Sequence, residues 1–333
     1  MDENKPTRNV APALLLMVFA PLLTEVLPGA TRFSSIFVFP IEVCVWGGGA
    51  LLIRDAIRRW QLGWFNMLLL ALALSIAEEF LIQQTSIAPM VLQLKGVTYA
   101  RAGGVNYVYL LWALLYEPLF VVFVPVYLVE LIFPAHNKNV WMSKGGFIAV
   151  VIFFIIGCFL AWYSWTQIAR PTVFHVPAYN PDIIKLAIAV LSIGILIFLA
   201  LGPIKNKLTT ISQSLDPVVE WVPGVIGGLW ATVLYGIVVL AFGLVPTFPS
   251  AIAVGIGIVL ALSALYVVPR WVNSSKWNSK YIYSIIFGTM LGAMLVSFIG
   301  FIGSTPIDLY FKILVNLIAV VLMILFGIKR LVR

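Results

Sequence analysis

Residues 64–86 read WFNMLLLALALSIAEEFLIQQTS, a mostly apolar stretch that ends in a group of polar side chains. As an α-helix, a stretch of this length crosses the roughly 30 Å of hydrocarbon in a lipid bilayer. It is one of a series of apolar stretches, at residues 11–28, 35–54, 64–86, 106–132, 146–165, 183–202, 224–245, 250–268, 281–302 and 310–328. The sequence therefore predicts an all-α fold, a polytopic transmembrane helix bundle with about ten spanning helices and membrane lipids around it.

The composition of the chain excludes an ordinary soluble protein. Hydrophobic residues make up 62% of the 333 positions and charged residues 10%, against about 45–50% and about 25% in soluble domains. The formal charge of +8 does not indicate nucleic-acid binding, because Lys and Arg lie in short clusters between apolar stretches, where membrane proteins carry their anchors. Cys44 and Cys158 lie inside apolar stretches, so no metal site, disulfide framework or cofactor is predicted.

The connections between the apolar stretches alternate in their content of basic residues. Most of the 21 Lys and Arg residues fall on one side of the predicted membrane, and that side includes both ends of the chain. Basic connections stay preferentially in the cytoplasm, so both termini are predicted to be cytoplasmic. The lack of targeting and retention signals predicts a prokaryotic plasma membrane.

The acidic residues inside the predicted spans are confined to the first four helices. They are Glu25, Glu42, Glu78, Glu79, Glu117 and Glu130. A carboxyl group in the hydrocarbon core is unfavourable, so such residues usually face a bundle interior or a wet cavity and mark a functional site. The sequence therefore predicts two parts without a soluble domain: residues 1–144 with a polar interior, and residues 145–333 as an apolar supporting part.

The third predicted helix presents several polar side chains at helical spacing. Ser75, Glu79 and Gln83 share one face, while Glu78 points about 100° away from Glu79. Both carboxyl groups cannot face one narrow cavity fully, so we expect at least one of them to be protonated or paired with a cation.

The fourth predicted helix carries a second polar stripe, interrupted by Pro118 and Pro125. Proline in a spanning helix frees backbone carbonyls that water, an ion or a cavity satisfies. The stripe consists of Asn106, Tyr109, Ala113, Tyr116 and Glu117. Together these observations predict a substrate- or ion-binding set, with no metal-ligand set and no assigned catalytic residue: Glu25, Glu42, Glu78, Glu79, Gln83, Asn106, Tyr116 and Glu117.

Three local features have structural interpretations. The run Gly47–Gly49 predicts close helix packing through small residues. Arg54 and Asp55 are predicted to form an ion pair at the membrane interface, and Glu130 is predicted to reach the inner interface along its own side chain.

The pair Glu78-Glu79 in a spanning helix resembles the first motif of the CAAX-processing and bacteriocin-processing membrane proteases. That family has E-E-x-x-x-R, followed by histidines on two further helices. Gln83 stands at the Arg position here, and no histidine lies in a predicted span. The resemblance implies a shared fold rather than protease activity. The segment Glu25–Thr31, taken with Ala77-Glu78-Glu79, also resembles uncharacterised multi-pass prokaryotic proteins.

Three functions are open from the sequence. The first is a transporter or permease in which Glu78, Glu79 and Glu117 bind protons or a cation, favoured by buried carboxyl groups and broken helices. The second is an intramembrane hydrolase that uses two close glutamates as acid and base. The third is a non-catalytic subunit whose polar face binds a protein partner or a second copy of the chain.

Overall fold

The computed structural model describes residues 10–89, 99–202, 214–216, 219–238, 245 and 247–329. The structure is 78% helical. Ten apolar helices are found in the described residues, one at each predicted span. They are α1 (Ala11–Val26), α2 (Phe33–Arg59), α3 (Trp64–Ile82), α4 (Tyr107–Ile132), α5 (Lys144–Thr172), α6 (Ile183–Leu201), α7 (Val222–Ile237), α8 (Ser250–Val272), α9 (Ser279–Phe301) and α10 (Pro306–Gly327).

The helices confirm the prediction of an all-α, multi-pass membrane protein. Eight of the described helices are long and apolar enough to cross a membrane, while α1 and α7 are shorter. The crossing of the membrane by all ten helices stays a prediction. The cytoplasmic location of the termini also stays a prediction, since the first nine and last four residues lie outside the described part of the chain.

Contacts between distant segments tie each end of the bundle together. At one end, the backbone N–H of Ser34 at the start of α2 donates to the Asp308 carboxylate at the start of α10 (2.9 Å). At the opposite end, the Asn66 side chain at the start of α3 donates to the Ala200 carbonyl near the end of α6 (2.6 Å). Both pairings agree with helices that alternate in direction. We name the two ends the outer end and the inner end, after the predicted orientation.

A short hairpin lies between α3 and α4 at the outer end. Strand β1 (Arg101–Ala102) pairs antiparallel with strand β2 (Val105–Asn106). The two residues between them, Gly103 and Gly104, have φ values of +57° and +78°, which tight two-residue hairpin turns require.

Small residues let α2 pack closely against three neighbours. A side chain at Gly47 would overlap the Met17 backbone of α1, and one at Gly49 would lie 2.8 Å from Leu74 of α3. Gly48 faces Phe154 of α5, at 3.4 Å from the position that a Cβ would occupy. The predicted packing role of this glycine run is confirmed.

The contact between α7 and α9 is also built on glycines. Gly224 and Gly228 of α7 face Gly288 and Gly292 of α9, so each helix contributes a G-x-x-x-G pair. The Gly224 N–H donates to the Ser284 hydroxyl of α9 (3.1 Å). Backbones approach closely enough for such contacts only where side chains are absent.

The inner ends of α2 and α4 are joined by ion pairs to the buried Glu130. These contacts show that the predictions for Arg54–Asp55 and for Glu130 are wrong. Arg54 does not pair with Asp55. It contacts Glu130 of α4 (3.1 Å) and lies over the ring of Trp141 (3.4 Å), while Asp55 pairs with Arg59 (2.5 Å). Glu130 is buried rather than extended to the interface. Adjacent residues on a helix point about 100° apart, so Arg54 and Asp55 face different neighbours.

A second, exposed ion pair lies between two inner connections. Asp216 accepts a hydrogen bond from the Ser274 hydroxyl (2.5 Å) and pairs with Lys276 (2.9 Å). The Ser274 hydrogen bond and the Lys276 ammonium hold the pKa of Asp216 below its usual range. The connections before α7 and after α8 therefore meet on one side of the bundle.

Candidate functional site

Five glutamates from four helices lie together toward the outer end of the bundle. The Glu78 carboxyl interacts electrostatically with Glu79 on its own helix, and with Glu25 of α1 and Glu42 of α2. Glu117 of α4 interacts with both glutamates of α3. We call these five residues the carboxylate cluster. The structure thus brings together the five glutamates of the predicted binding set.

Hydrogen bonds fix the cluster at several points. Glu42 accepts one from the Thr31 hydroxyl, and Glu79 accepts one from the Ser86 hydroxyl at 2.5 Å. The Glu79 and Glu117 side chains are also neighbours.

No basic side chain neutralises the cluster within the described residues. The ion pairs of that part of the chain involve Glu130, Asp55, Asp216 and Glu220, and none involves a cluster glutamate. Glu130, by contrast, contacts two arginines. Charge in the cluster must therefore be balanced by bound protons or by cations that are not part of the described chain.

The four helices that carry the cluster each contain a π-helical turn next to its glutamates. The Leu27 N–H donates to the Leu22 carbonyl (2.9 Å), and the Gln83 N–H donates to the Glu78 carbonyl (3.0 Å), so each bond spans five residues. Such π-helical turns are found at Leu22–Val26, Val43–Gly47, Glu78–Ile82 and Pro118–Phe123, with a further one at Tyr163–Ala169 of α5. The first four contain a cluster glutamate or directly follow one, and turns of this kind frequently mark functional sites.

Two predicted site residues lie at the ends of helices. The Asn106 side chain accepts a hydrogen bond from the Tyr109 N–H (3.0 Å) and so caps the start of α4. Gln83 directly follows the π-helical turn that ends α3 and is partly buried. Substrate contact by either residue stays a prediction.

Three tyrosines lie against the cluster. Tyr116 donates to the Thr24 carbonyl of α1 (2.6 Å). Tyr109, about two turns earlier on α4, interacts with Glu25, both glutamates of α3, and Glu117. Its place on the polar stripe of α4 was a sequence signal for this role. Tyr235 of α7 is near Glu25 and Tyr116, and no sequence signal distinguished it within an apolar helix.

The connection after α3 lies over the outer side of Glu79. Arg101 donates to the Ile87 carbonyl (3.2 Å), and the Tyr179 hydroxyl donates to the same carbonyl (3.2 Å). Arg170 donates to the Pro89 carbonyl (2.9 Å). Two arginines and Tyr179 therefore bind the backbone of segment 86–89, and the Ser86 hydroxyl joins the same segment to Glu79.

The described residues contain no group of three or more His, Cys, Asp or Glu side chains that could hold a metal ion. The cluster glutamates are neighbours, but they do not form a ready-made chelating set. No protein-family model, no curated protein and no solved structure matches this chain.

Proposed function

We propose that this membrane protein is a transporter that couples substrate movement to the binding of protons or a cation at the carboxylate cluster. The observation that carries the proposal is five interacting carboxyl groups on four helices without a basic partner in the described chain. Two carboxylates about 4 Å apart repel by about 4 kcal/mol at an effective dielectric constant of about 20. The cluster therefore takes up positive charge, and its content of protons or cations can change.

The π-helical turns support a functional role for this site. Four continuous helices carry such a turn beside the glutamates they contribute, and turns of this kind frequently occur at functional sites. A change in the charge of the cluster would act directly on these turns.

The two other functions receive less support. A hydrolase needs a groove in which substrate reaches the paired glutamates of α3, yet Glu78 and Glu79 are buried at 6% and 2% exposure. A partner-binding subunit would place its charged groups on an outer face, whereas these glutamates interact with one another inside the bundle.

The test is charge movement in proteoliposomes adsorbed on a solid-supported membrane. Rapid jumps in pH, Na⁺, K⁺ or Mg²⁺ should produce a transient current with the wild type for at least one of these ions. The Glu78→Gln/Glu79→Gln double variant should abolish that current. Glu220→Gln, which removes an exposed carboxylate at the inner end, should leave it unchanged. A wild type that moves no charge with any of these ions would overturn the proposal.

A further inference from the structure

Aromatic rings form a continuous group beside Glu25. The rings of Trp112, Tyr116 and Phe120 stack along α4, with centroids 4.6 Å apart at each step. Tyr235 of α7 lies perpendicular to Tyr116 at 5.3 Å. Glu25 interacts electrostatically with both Tyr116 and Tyr235. An acidic group and aromatic rings thus share one place between α1, α4 and α7.

The residues at this place are less deeply buried than the two glutamates of α3. Glu25, Tyr109, Trp112 and Tyr235 are each only partly buried. Glu25 interacts with Tyr109 and Tyr235, and the ring of Trp112 contacts the rings of the same two tyrosines. These contacts place Glu25 and the rings together on one side of the carboxylate cluster.

Two buried polar atoms at the site have no partner in the described structure. Glu42, which is 6% exposed and faces Glu25, has an unpaired oxygen Oε2. Trp112 has an unpaired indole nitrogen Nε1 inside the aromatic group. Buried polar atoms are nearly always hydrogen-bonded in proteins, so the free acceptor on Glu42 points to a ligand that donates a hydrogen bond.

We propose that this place between α1, α4 and α7 binds an organic ammonium ion as the transported substrate, an inference that rests on the proposed transport function. The carboxyl groups of Glu25 and Glu42 would accept hydrogen bonds from the ammonium group. The rings of Trp112 and Tyr235 would attract its positive charge and cover its hydrocarbon part.

The experiment measures binding of n-butylammonium chloride to the purified protein in detergent by calorimetric titration, with NaCl at equal ionic strength as the reference. Wild-type protein should bind the amine saturably. Trp112→Leu should weaken binding between about 2-fold and about 30-fold, the range of cation–π contributions, and Trp112→Phe should lose less because a ring remains. Glu25→Gln should also weaken binding. Trp60→Leu, at an exposed position of the inner end, should bind as the wild type does.

The outcomes separate this inference from the proposed function. If butylammonium does not bind, or if Trp112→Leu and Glu25→Gln bind it as well as the wild type, the inference is overturned. Ion-driven currents that persist in that case leave the proposed transport function standing. Gel filtration and thermal unfolding of each variant identify those that fail to fold. If Trp112→Leu fails to fold, the binding affinity of Trp112→Phe is compared with that of the wild type instead.

Discussion

The replacement Gly224→Ala tests the closest described contact between helices of the second part of the chain. The new Cβ would lie 2.6 Å from the Ser284 hydroxyl and 2.7 Å from the Ser284 carbonyl oxygen. Ordinary contact begins near 3.4 Å, so α7 and α9 must separate by about 0.7 Å at this point. The separation also stretches the hydrogen bond from the Gly224 N–H to Ser284.

The expected loss of stability follows from that separation. A gap of 0.5–1 Å removes about a quarter to a half of the dispersion energy of the atoms concerned. Overpacking typically costs about 1–3 kcal/mol, and the better helix propensity of Ala returns at most about 1 kcal/mol. In lipid no hydrophobic force compensates for poorer packing between helices. We expect a net destabilisation of about 1–2 kcal/mol.

The assay is reversible unfolding in mixed detergent micelles, followed by far-UV circular dichroism. Gly236→Ala is the matched control, since it lies on the same helix and a Cβ there would meet no atom within 4 Å. The control should be neutral or slightly more stable than the wild type. If Gly224→Ala proves as stable as Gly236→Ala, the close approach of α7 and α9 is wrong.

Three further changes test other contacts. Arg54→Ala should destabilise the protein by about 3 kcal/mol, because it removes one partner of a buried ion pair. Arg58→Ala should cost under about 1 kcal/mol, because 32% of the Arg58 side chain is exposed. Equal losses of stability in detergent unfolding would contradict the different burial of the two arginines beside Glu130. Ser86→Ala should speed labelling of a cysteine placed at Ala88 by a membrane-impermeant maleimide, and an unchanged rate would mean that Ser86 does not hold its segment. Lys312→Met should cost about 1–3 kcal/mol by leaving carbonyl acceptors unpaired, and an unaltered unfolding midpoint would refute that role.

The positions of the helices were predictable because hydropathy is a local property. Each predicted span coincides with an apolar helix of the structure. The ends were less predictable where polar residues continue a helix. The span predicted for 35–54 extends to Arg59, and that predicted for 146–165 extends to Thr172. In both extensions, arginines bind carbonyl groups or a carboxylate of distant segments, which local hydropathy does not report: Arg58 and Arg59 in the first, and Arg170 in the second.

The carboxylate cluster was predictable in outline, and its partners were not. Charge inside apolar stretches marked the glutamates without any knowledge of which helices are neighbours. Tyr235 escaped notice because a single tyrosine in an apolar helix is ordinary. The predicted pair of Arg54 and Asp55 is wrong because neighbouring residues of a helix point in different directions. In the structure, Asp55 pairs with Arg59, which lies four residues further along the same helix, a spacing that brings two side chains together.

The second part of the chain takes part in positioning the cluster. Lys312 of α10 is 1% exposed, and its ammonium donates to the Leu27 and Pro28 carbonyls at the end of α1 (3.0 and 3.2 Å). Two residues before Leu27, the Glu25 carbonyl accepts a hydrogen bond from the Thr31 N–H (3.0 Å). The Thr31 hydroxyl in turn donates to the carboxyl group of Glu42 in α2. Lys312 of α10 therefore helps to hold the backbone segment that positions Glu25 and Glu42, two glutamates of the cluster.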